Sequence, residues 1–109
     1  MDARSGREAP LAAKVDEHGG KVRCRLRVEG RVQGVGFRAW TVWRGRELGL
    51  RGWVRNLSDG SVELEAEGEA EAMGRLRHEV HHGPPLAAVR AVTELEPSTG
   101  HLSLPFEMR

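Results

Sequence analysis

The chain has 109 residues and is 39% hydrophobic, which suits one small domain, and its 17 Lys plus Arg nearly balance 16 Asp plus Glu. A net charge of +1 excludes an overall polyanion-binding character, so any anion site must be local. The single cysteine, Cys24, excludes an intrachain disulfide, and no stretch reaches the roughly 18–20 apolar residues of a membrane span.

Residues 1–20 are small, polar and charged, broken by Pro10, Gly19 and Gly20, and are expected to form a disordered N-terminal arm before a domain at 21–109. Without a signal-like segment or disulfide, the expected compartment is the cytoplasm. Val22 to Val28 alternates apolar and charged residues, which predicts a strand with one buried face and Arg23, Arg25 and Arg27 on the other. Gly30 to Gly36 follows as a loop. Phe37 to Leu48 has helical length, with Phe37, Thr41, Gly45 and Leu48 on one face. Gly45 costs about 1 kcal/mol against alanine inside a helix, which points to close packing against a sheet.

Gly52–Asn56 and Val62–Glu67 read as strands joined through Ser58-Asp59-Gly60, a hairpin signal. Residues 69–81 read as a helix, acidic at its start and basic at its end, stopped by Gly83-Pro84-Pro85. Leu86–Leu95 reads as a strand, and Leu102–Met108 as a last edge strand whose pairing Pro105 limits. The order is β-α-β-β-α-β, an α+β ferredoxin-like sandwich: an antiparallel sheet, two helices on one face, and a short extra C-terminal edge strand. That topology makes the first and third strands neighbours. Arg23, Arg25 and Arg27 would then meet Glu63, Glu65 and Glu67 as solvated cross-strand partners, although a ligand-binding face is the other reading.

The stretch GRVQGVGFR, residues 30–38, lies between a strand and a helix N-terminus. Amides at that place have no helical partners, and successive loop amides can form a nest for an anion. Gly34 and Gly36 let the backbone curl, and Arg38 in the first helical turn offers a planar charged fork for phosphate oxygens. A tight turn beside a solvated arginine is the plainer alternative. Two motif matches lead elsewhere and fail. Gly34-x-Gly36-x-x-Ala39 fits a dinucleotide fingerprint, but the following element is a hairpin and the chain is too short for a doubly wound sheet. His78-Glu79-x-x-His82 fits a zinc-protease pattern, but Gly83-Pro84 cuts the helix at once. An RNA recognition motif shares the element order. It would display aromatics on its central strands, where this chain has arginines and glutamates.

Three segments carry a resemblance to the acylphosphatase family. Gly30-Arg31-Val32-Gln33-Gly34-Val35-Gly36-Phe37-Arg38 resembles its phosphate loop. Leu48 to Val62, with Gly52-x-Val54-x-Asn56-x-x-Asp59-Gly60-x-Val62, resembles its second motif. Gly83-Pro84-Pro85-Leu86-Ala87-Ala88-Val89 resembles its turn after the second helix. The resemblance covers about residues 22–109. Gly45 stands where the family usually has alanine, the N-terminal arm is longer than typical, and the segment around Pro105 is loosely matched.

The resemblance implies hydrolysis of the carboxyl-phosphate bond of an acyl phosphate to a carboxylate and inorganic phosphate. It implies that Arg38 binds the phosphoryl oxygens, that the backbone of Val32, Gln33, Gly34, Val35 and Gly36 cradles the same group, and that Asn56 orients the attacking water. No metal, cofactor, nucleic acid or membrane is expected, and a monomer is. Asn56 read alone could serve turn chemistry only. Trp40 and Trp43 could shape the acyl side or only cover surface. Cys24 is inward and not placed as a nucleophile. The alternative function is a non-catalytic anion-binding regulatory domain of the same fold, since the resemblance extends to the N-terminal region of a hydrogenase-maturation carbamoyltransferase.

Overall fold

The computed structural model describes residues 14–15 and 20–109. Its elements are β1 (Lys14–Val15), β2 (Lys21–Arg31), α1 (Phe37–Glu47), β3 (Arg51–Asn56), β4 (Val62–Glu69), α2 (Ala70–Val80), β5 (Ala88–Leu95) and β6 (Glu107–Met108). Of the stretch expected to be an arm, Lys14–Val15 pairs with Val22 and Arg23 of β2; residues 1–13 and 16–19 lie outside the described residues.

The alternation in β2 has its expected effect. Val22, Cys24, Leu26 and Val28 are buried, and the arginines between them face the other way. β2 sits at the centre, antiparallel to β4 on one side and to β5 on the other, and β3 lies beyond β4. α1 packs on β3, and α2 packs on β2 and β4, so the strands' apolar faces close over Phe37, Met73, Leu76 and Val80. This is the ferredoxin-like arrangement. Its last strand is shorter than Leu102–Met108 and differs in direction: only Glu107–Met108 pairs, parallel to Trp53–Val54. Phe106 is fully buried beside it.

Gly45 packs closely, but against Phe106 and not against the sheet. A Cβ at position 45 would lie 2.5 Å from the Phe106 ring. The aromatic side chain of the returning C-terminal segment takes the space that an alanine would fill.

The outer face of the sheet corrects the expectation of solvated partners. The register pairs Arg23 with Glu67, Arg25 with Glu65 and Arg27 with Glu63. Arg23 keeps its register partner, whereas Arg25 bonds along a diagonal and Arg27 turns to Asp59, and segment 96–103 crosses this face with polar groups of its own. Arg25 Nε donates to Glu63 at 2.5 Å and Arg55 donates to Glu63 at 2.7 Å. Glu65 is fully buried and accepts from the Ser98 amide at 2.6 Å and its hydroxyl at 2.8 Å. Arg23 reaches Glu67 and donates to the carbonyls of Ser98 and Gly100. Burial pushes the Glu63 carboxyl upward, but hydrogen bonds from Arg55 and Arg25 outweigh it and hold the group below its ordinary range.

Candidate active site

The loop between β2 and α1 has the geometry of an open amide nest. Gly34 and Gly36 have φ of +77° and +83°, a region that side chains disfavour, although a Cβ at either position would meet no atom. Backbone conformation, not space, therefore calls for glycine here. Gly36 is the N-cap of α1, no side chain caps that helix, and its first turn carries no acidic residue. Among the described residues, none of the amides of Val32 to Gly36 donates a hydrogen bond to protein. Unpartnered amides beside an uncapped helix N-terminus attract an anion.

Arg38 stands in the first turn of α1 and is half-buried. Its Nη1 donates to the main-chain oxygen of Arg109 at 3.2 Å, and among the described residues its other donors have no hydrogen-bond partner. Arg109 is held in turn by its amide, which donates to the Val54 carbonyl at 2.8 Å, and by its guanidinium, whose Cζ lies 5.0 Å from the Trp53 ring centre.

Asn56 ends β3, two residues beyond Val54 and on the same, helix-covered face of the sheet, opposite Val62 in the register. Among the described residues its carboxamide has no hydrogen-bond partner. The turn that follows is fixed by others: Asp59 accepts from the Ser61 hydroxyl at 2.6 Å and from its amide at 3.0 Å, and pairs with Arg27. Those Ser61 bonds, with Arg27, lower the Asp59 pKa to about 2. Turn chemistry thus falls to Asp59 and leaves Asn56 free for another task.

The sequence reading assigned Gln33 only a backbone role, yet its side chain bridges the loop and the hairpin. Nε2 donates to the Leu57 carbonyl and to the Ser61 carbonyl, both at 2.8 Å. One signal in the sequence could have marked it: Gln33 and Asn56 are the chain's only carboxamide side chains.

The other candidates make different contacts. Cys24 is fully buried, and burial raises its thiol pKa to about 11, so it stays protonated. His78 and His82 have ring centres 5.7 Å apart, with His82 past the end of α2. Among the described residues no cluster of three or more His, Cys, Asp or Glu side chains is placed to hold a metal. Trp40 packs edge-on against Phe37 at 5.5 Å, whereas Trp43 is 55% exposed beside Ala39, Val42 and Met108. Among the described residues no helix is long and apolar enough to cross a membrane.

Comparison with known proteins matches the acylphosphatase family model to residues 24–106. An acylphosphatase from Anaeromyxobacter dehalogenans is 56% identical over 72 residues, 66% of this chain and 77% of that protein. One from Salinibacter ruber is 54% identical over 76 residues, 70% of this chain and 80% of that protein. Among solved structures, an acylphosphatase from Coxiella burnetii superposes with a TM-score of 0.72 at 38% identity, covering 83% of this chain and 94% of that one.

Proposed function

Because the chain belongs to the acylphosphatase family, we propose that Arg38 and the amides of Val32 to Gly36 hold the phosphoryl group of an acyl phosphate, while Asn56 orients the water that attacks it. The activity is hydrolysis of the carboxyl-phosphate bond. One observation carries the residue assignment. Among the described residues, a run of amides without partners lies at an uncapped helix N-terminus, tied by Gln33 to the hairpin that presents an Asn56 carboxamide likewise without one.

The chemistry suits these groups. The nest and the Arg38 fork neutralise charge on the phosphoryl oxygens as the transition state loosens. The Asn56 side-chain oxygen accepts a hydrogen bond from the water and so aims the water's lone pair at phosphorus. The new P–O bond forms as the bond from phosphorus to the acyl oxygen breaks, and the carboxylate leaves with the electron pair. A carboxylate is a good leaving group, so no acid is needed to protonate it. No carboxylate or histidine is among these residues to act as base, and the water's proton passes to an oxygen of the substrate's own phosphate. The site is read as working without a metal ion and as a monomer, with an acyl phosphate as substrate and inorganic phosphate as product.

A non-catalytic anion-binding domain of the same fold is not favoured, since relatives at 54–56% identity are named as the enzyme. Benzoyl phosphate hydrolysis, followed by ultraviolet absorbance with and without EDTA, tests the reading beside the Arg38→Ala variant. EDTA-resistant turnover that the variant loses is expected. No turnover with phosphate still bound would move the chain to the binding-domain class.

A further inference from the structure

We propose that the Gln33 carboxamide is a positioning residue that sets the separation between the phosphate nest and the Asn56 amide. The proposal rests on the assignment of those two groups given above.

The geometry is a clamp across the mouth of the β3–β4 hairpin. Leu57 follows Asn56 directly, and Ser61 precedes Val62, the register partner of Asn56. Gln33 Nε2 spends its two hydrogens on the carbonyls of these two residues, each at 2.8 Å. Both carbonyls already accept a main-chain bond, Leu57 from Gly60 at 3.2 Å and Ser61 from Leu57 at 2.8 Å. The clamp therefore grips a turn that is already closed. Ser61 is also held from its other side: Asp59 accepts from it, and Arg27 Nε donates to its hydroxyl at 3.3 Å.

Neither partner in the reaction is held by contacts of its own. Among the described residues the amides of Val32 to Gly36 donate no hydrogen bond, and the loop contains two glycines with positive φ. Asn56 has no side-chain partner among the described residues, so the end of β3 alone fixes it. Gln33 is the hydrogen-bonded link from loop to hairpin. A misplacement of about 1 Å between reacting groups can cost on the order of 10²-fold in rate, so the clamp acts on turnover more than on phosphate affinity.

Three variants test this. Gln33→Ala should lower kcat for benzoyl phosphate by roughly 10- to 100-fold while the inhibition constant of inorganic phosphate changes less than about 3-fold. In an Asn56→Ala background, where residual turnover is read at high enzyme concentration, the same change should cost less than about 2-fold, because the group it positions is gone. Gln33→Glu supplies the sharper reading. An ionised carboxylate facing two carbonyls cannot donate; the protonated acid can, and those carbonyls raise its pKa. Its kcat deficit against wild type should shrink by at least about 5-fold between pH 8 and pH 5. The charged groups nearest the clamp in the chain are Asp59 in the hairpin turn, Arg27 of β2, which pairs with it, and Arg38 in α1. The Asp59 pKa of about 2 keeps its carboxylate ionised over that range.

Wild-type kcat in Gln33→Ala would overturn the proposal. So would a pH-independent deficit in Gln33→Glu, or an equal cost of Gln33→Ala with and without Asn56. Full turnover in Asn56→Ala alone would instead overturn the site assignment, and the clamp with it.

Discussion

On the outer face of the sheet, charged groups find one another: Arg25 and Arg55 converge on Glu63, Glu65 takes both donors of Ser98, and Arg23 binds Glu67 and two carbonyls. At the turn end of the hairpin the polar groups stay largely unspent. Among the described residues, five loop amides, most of the Arg38 donors and the whole Asn56 carboxamide lack partners. The contrast separates a face whose charges are spent on structure from an end whose hydrogen-bonding capacity is not, as the proposed anion site requires. Leaving such groups unpaired costs stability unless water or a substrate satisfies them, so their concentration at one place is informative.

Substitutions should break this contrast in opposite ways. The largest effect is expected for Arg38→Ala, which removes the charged fork: kcat/KM for benzoyl phosphate should fall about 10³-fold, and phosphate inhibition should weaken with it. The melting temperature should move little, since among the described residues Arg38 makes one side-chain hydrogen bond, at 3.2 Å. On the other face, Glu63→Gln should reverse the pattern. It leaves Arg25 and Arg55 without their shared carboxylate and should lower stability by about 2 kcal/mol in chemical denaturation, with kcat per folded molecule unchanged within about 2-fold.

Gly45→Ala sharpens the comparison at a site near neither set of groups. Helix propensity alone would favour alanine by about 1 kcal/mol. The 2.5 Å approach to the Phe106 ring decides the sign, and overpacking should make the variant less stable by about 1–2 kcal/mol in the same measurement. The smallest effect concerns pH. Glu63 is held below its ordinary value in the fold, and Asp59 is lowered to about 2. The unfolded chain then binds protons more readily at these groups. The stability they contribute is complete above roughly pH 4.5 and is lost as pH falls through their folded values. Melting temperature against pH should therefore drop below pH 4.5, and less steeply in Glu63→Gln.

Much of this arrangement was legible in the chain. The faultless alternation of Val22 to Val28, the Asp59-Gly60 turn and the Gly83-Pro84 stop place three strands and the end of a helix, because each is a local rule. Non-local facts were not legible. Nothing in a linear reading shows that segment 96–103 would lie over the outer face and bond Glu65. Nor could it show that Phe106 would return to fill the space beside Gly45, or that the last strand would run parallel to β3. The site divides in the same way. Gly34, Gly36 and Arg38 are signalled by their place between strand and helix. The reach of Gln33 across to Leu57 and Ser61 depends on two segments that meet only in the folded chain.

The central claim is that Asn56 serves the water and not the phosphate. The most direct test measures benzoyl phosphate turnover and competitive inhibition by inorganic phosphate in Asn56→Ala. The account predicts turnover reduced by at least about 10²-fold with a phosphate inhibition constant within about 3-fold of wild type. Wild-type turnover in the variant, or a loss of phosphate inhibition equal to the loss of rate, would contradict it.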